Sequence, residues 1–172
     1  MKNKVNTISL NGIGIALFVT LSLCLQVPIF QNYYLCLGYI VMIFYLRFFG
    51  IKSGAIVGVF GTILYCFIIN GFRGMPGWVI GNIVLAIILG YTFKFAEKFT
   101  KNIIKYMIYI IGIIIGCTGG ILFVKSLVEH LLYAQPIILR MISNIYAFIA
   151  DVIVLIIGIP VCELLEFYMK NK

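Results

Sequence analysis

The sequence predicts an all-α integral membrane protein, a compact bundle of six transmembrane helices in a single domain over residues 1–172. Three observations predict it: 63% of residues are hydrophobic while only 10% are charged, the apolar residues fall into six runs, and Lys and Arg are placed unevenly between them. A soluble domain carries about a quarter charged residues, so this chain lacks the polar surface needed to face water. The length suits one bundle without a separate soluble domain. The net charge of +8 belongs, in so apolar a chain, to cytoplasmic loops rather than to nucleic-acid binding.

A helical span needs about 20 apolar residues at about 1.5 Å rise each. Residues 8–28 form the first candidate. Lys2 and Lys4 precede it as in a signal peptide, but it ends in Leu25-Gln26-Val27-Pro28 with no small-residue cleavage site, so it reads as an uncleaved span. The second, 35–49, is short, and a tight joint at Gly50 separates it from the third, 51–69. The fourth and fifth are 77–96 and 103–124, and the sixth, 137–162, is long enough to tilt. Between the last two, "KSLVEHLLYAQP" is too polar to span and reads as an outer helical segment.

Charge sets the orientation. With the N-terminus in the cytoplasm, the inner side holds Lys2, Lys4, Arg47, Lys52, Lys94, Lys98, Lys101, Lys105, Lys170 and Lys172; the outer side holds Arg73, Lys125 and Arg140. Ten against three predicts N-in and C-in. Small residues then mark where helices touch. Gly50, Gly54, Gly58 and Gly61 run along span three, and Gly112, Gly116 and Gly120 along span five. Spacing near one turn keeps each set on one side of its helix and permits close backbone approach. Gly12 and Ala16 form a similar pair near the cytoplasmic end of span one.

Polar groups inside a membrane are expensive and turn toward the bundle interior or a water-filled cavity. Most of those here lie in the outer half. Tyr33 and Tyr34 flank the first outer loop, Arg73, Trp78 and Asn82 belong to the second, Glu129 and His130 to the third. At about 100° per residue, Asn144 lies about 40° and Asp151 about 20° from Arg140, one stripe down span six; Trp78 and Asn82 are also about 40° apart. Trp78 alone is an interfacial anchor, and Asn82 alone an interhelical hydrogen bond. Together with the span-six stripe they predict an outward pocket: an aromatic wall from Trp78, hydrogen bonds from Asn82 and Asn144, an anion or carbonyl partner in Arg140, and a lid of Tyr33 and Tyr34. Arg73, Glu129 and Asp151 complete the candidate substrate contacts. Asp151 stands open as a structural hydrogen-bonder, a ligand contact or a proton or cation site.

No catalytic residue is predicted. Glu129 and His130 point about 100° apart on a helix and do not form a working pair, and Lys125 with Glu129 reads as an ion pair. The chain has no G-x-S-x-G, H-E-x-x-H, P-loop or Rossmann pattern. Cys24, Cys36, Cys66, Cys117 and Cys162 are scattered without a C-x-x-C pair, and His130 is the single histidine, so neither a disulfide framework nor a metal site is expected.

Six short spans, the Gly12-x-x-x-Ala16 pair, Pro28 closing span one, the loop Ile29–Tyr34, the glycine run of span three, and "PGWVIGN" followed by Gly90 resemble the substrate-binding S components of energy-coupling factor (ECF) vitamin transporters. Gly12 stands where that family usually has Ala. The resemblance implies a bacterial plasma-membrane subunit that captures a vitamin or related micronutrient between the outer halves of spans four to six and the outer loops. Its Gly12/Ala16 face would dock on a membrane T subunit, and two ATPase subunits would drive it to topple and release substrate inward. With no Walker motif and no cofactor in this chain, ATP hydrolysis falls to those partners. The riboflavin-type acidic signature around span two is not recognised, nor are the marks of biotin or thiamine binders. The polar set suits a flat heterocycle, either a B vitamin or a modified nucleobase such as a queuosine precursor. Two rivals are a membrane scaffold of the MreD kind, which needs no outward polar cavity, and a small membrane enzyme, which needs a nucleophile–base pair or metal cluster.

Overall fold

The computed structural model describes residues 2–24, 28–30, 33–69 and 75–170. The chain forms α1 (Lys2–Cys24), a short antiparallel pair β1 (Pro28–Phe30) and β2 (Tyr33–Tyr34), α2 (Gly38–Phe48), α3 (Gly50–Ile69), α4 (Met75–Ala96), α5 (Asn102–Cys117), a π-helical stretch (Thr118–Lys125), α6 (Ser126–Tyr133) and α7 (Ile137–Lys170). The π stretch joins α5 to α6 without a break, so six helices make the bundle, and five of them are long and apolar enough to cross a membrane. The sixth, α2, has 11 residues, about 16 Å of helix, roughly half of a hydrocarbon core about 30 Å thick.

The segment between spans five and six is helical as expected, over Ser126–Tyr133, and it continues span five: the π stretch joins α5 to α6, so one helix runs to Tyr133. It stops where Ala134 takes a left-handed conformation (φ 51°) ahead of Pro136. The loop Ile29–Tyr34 contains a strand pair, with Pro28 opposite Tyr34 and Phe30 opposite Tyr33, and that hairpin lies against α7.

The joint expected at Gly50 is real. Gly50 has φ 86°, a conformation open to glycine at little cost, and it lets α2 and α3 fold back on each other with almost no loop. The glycines of α3 then act as sockets. A Cβ at Gly54 would lie 2.4 Å from Leu46, one at Gly58 2.6 Å from Met42, and one at Gly61 2.5 Å from Phe18. Phe18 also fills the space over Gly38, so one ring of α1 locks α2 and α3 together. On the other side of the bundle the backbones of α4 and the π stretch touch: a Cβ at Gly81 would sit 2.6 Å from the Gly120 carbonyl oxygen.

At the end opposite the hairpin, an ion pair fastens the short helix. Arg47 at the end of α2 donates to Glu166 of α7 at 2.8 Å and lies 3.9 Å from Glu163. The Tyr106 hydroxyl of α5 donates to Glu163, and the Arg47 guanidinium lies over the Tyr109 ring. Tyr39, Met42, Leu85, Ile113 and Leu155 fill the centre with no exposed surface. Large apolar side chains such as Phe60, Ile138 and Phe167 stand out around the perimeter, an arrangement that water would penalise and lipid accommodates.

Candidate functional site

The polar side chains gather into two neighbouring groups toward the hairpin end. The first is a chain of hydrogen bonds across three helices. The Trp78 indole N–H donates to the Tyr39 hydroxyl at 2.7 Å. Tyr39 donates to Asn82 Oδ1 at 2.7 Å. Asn82 Nδ2 donates to Thr62 Oγ1 at 2.6 Å, and Thr62 donates to the Gly58 carbonyl at 2.7 Å. Asn82 is fully buried. It bridges α4 to α2 and α3, and through Tyr39 it fixes the orientation of Trp78, whose other side meets Tyr65 edge-on with centroids 5.7 Å apart. A buried amide with both ends paired avoids the cost of an unsatisfied polar group.

The second group joins α6 to α7. Asn144 Nδ2 donates to Ser126 Oγ at 2.9 Å and to Glu129 Oε2 at 3.2 Å. Arg140 lies 3.8 Å from the same Glu129 oxygen, with its guanidinium over the Tyr133 ring. Glu129 thus pairs with Arg140 rather than with Lys125. Pairing of this kind offsets the cost of burying a carboxylate. Arg140 Nε is buried and has no hydrogen-bond partner among the described residues. His130 turns elsewhere, its Nδ1 meeting the Gln135 carbonyl.

The two groups adjoin because α4 has no side chain at Gly77. A Cβ there would lie 3.0 Å from the Lys125 carbonyl and 3.1 Å from Glu129 Cγ, so the residue before Trp78 rests directly on the acid of the second group. Asp151 sits deeper on α7, 4% exposed, with the Tyr39 hydroxyl as its neighbour.

Of the expected site residues, Trp78 and Asn82 fall in the first group, Glu129, Arg140 and Asn144 in the second, and Asp151 beneath both. The strand carrying Tyr33 and Tyr34 lies against α7; the side chains of those tyrosines, and Arg73 altogether, lie outside the described residues. Tyr39, Thr62 and Ser126 are additions. Nothing in their local sequence distinguishes them, since Tyr, Thr and Ser are all common in apolar helices. Among the described residues no group of His, Cys, Asp or Glu is placed to hold a metal ion.

Long apolar helices around a small, buried polar interior define a multi-pass membrane protein. The sequence model for the family described as "ECF-type riboflavin transporter, S component" matches residues 2–166. The chain belongs to that family and is a substrate-binding S component of the plasma membrane. No curated protein and no solved structure matches it. Family membership leaves the scaffold reading without support.

Proposed function

We propose that the chain is a single six-span transmembrane domain, N-in and C-in, that captures a flat heterocyclic vitamin of the riboflavin class at its hairpin end and passes it on by docking with a T subunit and two ATPase subunits. The family match over residues 2–166 carries this reading. The chemistry of the two polar groups supports it. Trp78 offers an aromatic face for stacking, and Arg140, with a buried Nε that no described residue satisfies, offers a donor to a heterocycle carbonyl. Asn144 and Glu129 flank that donor, and Asp151 receives polar substituents from below; Tyr33, Tyr34 and Arg73 stay candidate contacts on the strength of the sequence alone. Asn82 acts on the ligand through Tyr39 and Trp78. The ten-to-three split of Lys and Arg supports the orientation.

The exposed Gly12 and Ala16 face supports docking by α1. A Cβ at Gly12 would meet nothing within 4 Å, leaving room for a partner helix to come close. The chain carries no ATP-binding motif, so energy comes from the partners. Purifying the chain in mild detergent and identifying the small molecule that travels with it by mass spectrometry tests the substrate. A flavin supports the proposal. A deazaguanine-type nucleobase would redirect it to queuosine precursors, and an aliphatic or inorganic ligand would overturn it.

A further inference from the structure

A groove lies away from the polar interior, on the perimeter of the bundle between α4 and α5. Tyr91, Thr92 and Phe95 of α4 and Ile108, Gly112 and Ile115 of α5 line an open groove of about 450 Å³. Its floor is the contact between Gly112 and Thr92, where a Cβ would lie only 2.3 Å from the threonine. The Thr92 hydroxyl is spent on the Ile88 carbonyl at 2.8 Å, so the groove presents an almost wholly apolar lining.

Its two walls run into lysines. Tyr91 and Phe95 share one face of α4, and Lys98, in the turn just past its end, holds its ammonium 6.0 Å from the Phe95 ring centre. On α5 the spacing Lys105, Ile108, Gly112, Ile115 keeps one face. Lys94 and Lys101 add charge at this end, and none of the four lysines has a carboxylate within 4 Å among the described residues. The lined α5 wall from Ile108 to Ile115 measures about 10 Å, and with Lys105 one turn beyond it the stretch reaches about 15 Å, half of a hydrocarbon core about 30 Å thick. Groove and lysines together therefore have the depth of about one leaflet, with an apolar lining and a cationic rim at one end among the described residues.

We propose that this groove is a binding site for an anionic phospholipid, with one acyl chain along the α4–α5 contact and the phosphate held by Lys98 and Lys105. A zwitterionic lipid satisfies the groove but leaves the rim unneutralised. An acidic protein segment satisfies the rim but not a leaflet-deep apolar channel.

The test uses the full-length protein, stripped of lipid and then offered phosphatidylglycerol and phosphatidylcholine with identical acyl chains, with retained lipid counted by native mass spectrometry. The wild type should prefer phosphatidylglycerol. Lys98→Gln/Lys105→Gln should lose about thirtyfold of that preference, the worth of two lysines at a lipid surface, and Lys98→Arg/Lys105→Arg should restore it. Lys2→Gln/Lys52→Gln, which removes the same charge elsewhere, should retain the preference. Ile111→Trp, filling the groove from its wall, should lower retention of both lipids. Equal retention of the two lipids by the wild type would overturn the proposal, as would an unchanged preference in Lys98→Gln/Lys105→Gln; occupancy by an acidic protein segment gives the first of these results.

Discussion

Asn82 is held in two directions, by the Tyr39 hydroxyl and toward the Thr62 hydroxyl, with no surface exposed. In the proposed site that geometry gives it the part of a positioning residue for Trp78. Replacing Asn82 with Ala takes the acceptor from the Tyr39 hydroxyl and a donor from the Thr62 oxygen, and so loosens the hold on Trp78. Asn82→Ala should therefore cost about 1–2 kcal/mol of stability and weaken ligand binding as well, both read on the same purified protein by thermal unfolding and equilibrium titration. Tyr39→Phe should reproduce the affinity loss, since it removes the link to the indole while keeping the ring. Trp78→Ala should weaken binding with less loss of stability, because Trp78 is only partly buried. Arg140→Gln tests the other group. It removes the unsatisfied donor and leaves Glu129 with only Asn144 as a described polar partner, so binding should fall about ten- to a hundredfold. Full affinity in both Trp78→Ala and Arg140→Gln would remove these two groups from the ligand site.

At the scale of elements, glycines divide into sockets and open positions. Gly81 meets the backbone of Gly120, which no rotamer change can relieve, so Gly81→Val should lower the unfolding temperature and detach α4 from the π stretch. Gly12 meets nothing, so Gly12→Leu with Ala16→Leu should leave folding and ligand binding intact. It should abolish co-purification with the T subunit; loss of binding with assembly intact would reassign that face. Much of this level was legible in the sequence. The Gly50 joint, the short second helix and the glycine stripe of α3 all followed from spacing and length. The π stretch was not legible, because a change from four- to five-residue pairing leaves no periodic mark in a uniformly apolar run. Nor was the clamp of Arg47 on Glu166, two residues 119 apart in sequence, which only the packing of α2 against α7 brings together. In the site, Trp78, Asn82, Arg140 and Asn144 stood out because they are rare in lipid. Tyr39 and Thr62, which complete their bonding, are ordinary in such helices and passed unnoticed.

For the whole molecule, the placement of Lys and Arg predicts that the hairpin end faces outward. In a cysteine-free background, a cysteine at Lys101 should react with impermeant reagents only from the cytoplasm and one at Arg73 only from outside; the reverse pattern would invert the bundle. The central claim is that this chain alone holds the substrate, with its partners supplying energy rather than recognition. The direct measurement is titration of the purified chain with riboflavin, followed by quenching of flavin fluorescence as the ring stacks on an aromatic side chain. Saturable binding with one ligand per chain and Kd below about 1 μM, without any partner or ATP and weakened in Trp78→Ala, is the predicted result. The absence of saturable binding to riboflavin or any other flat heterocycle, by a chain shown to be folded, would contradict it.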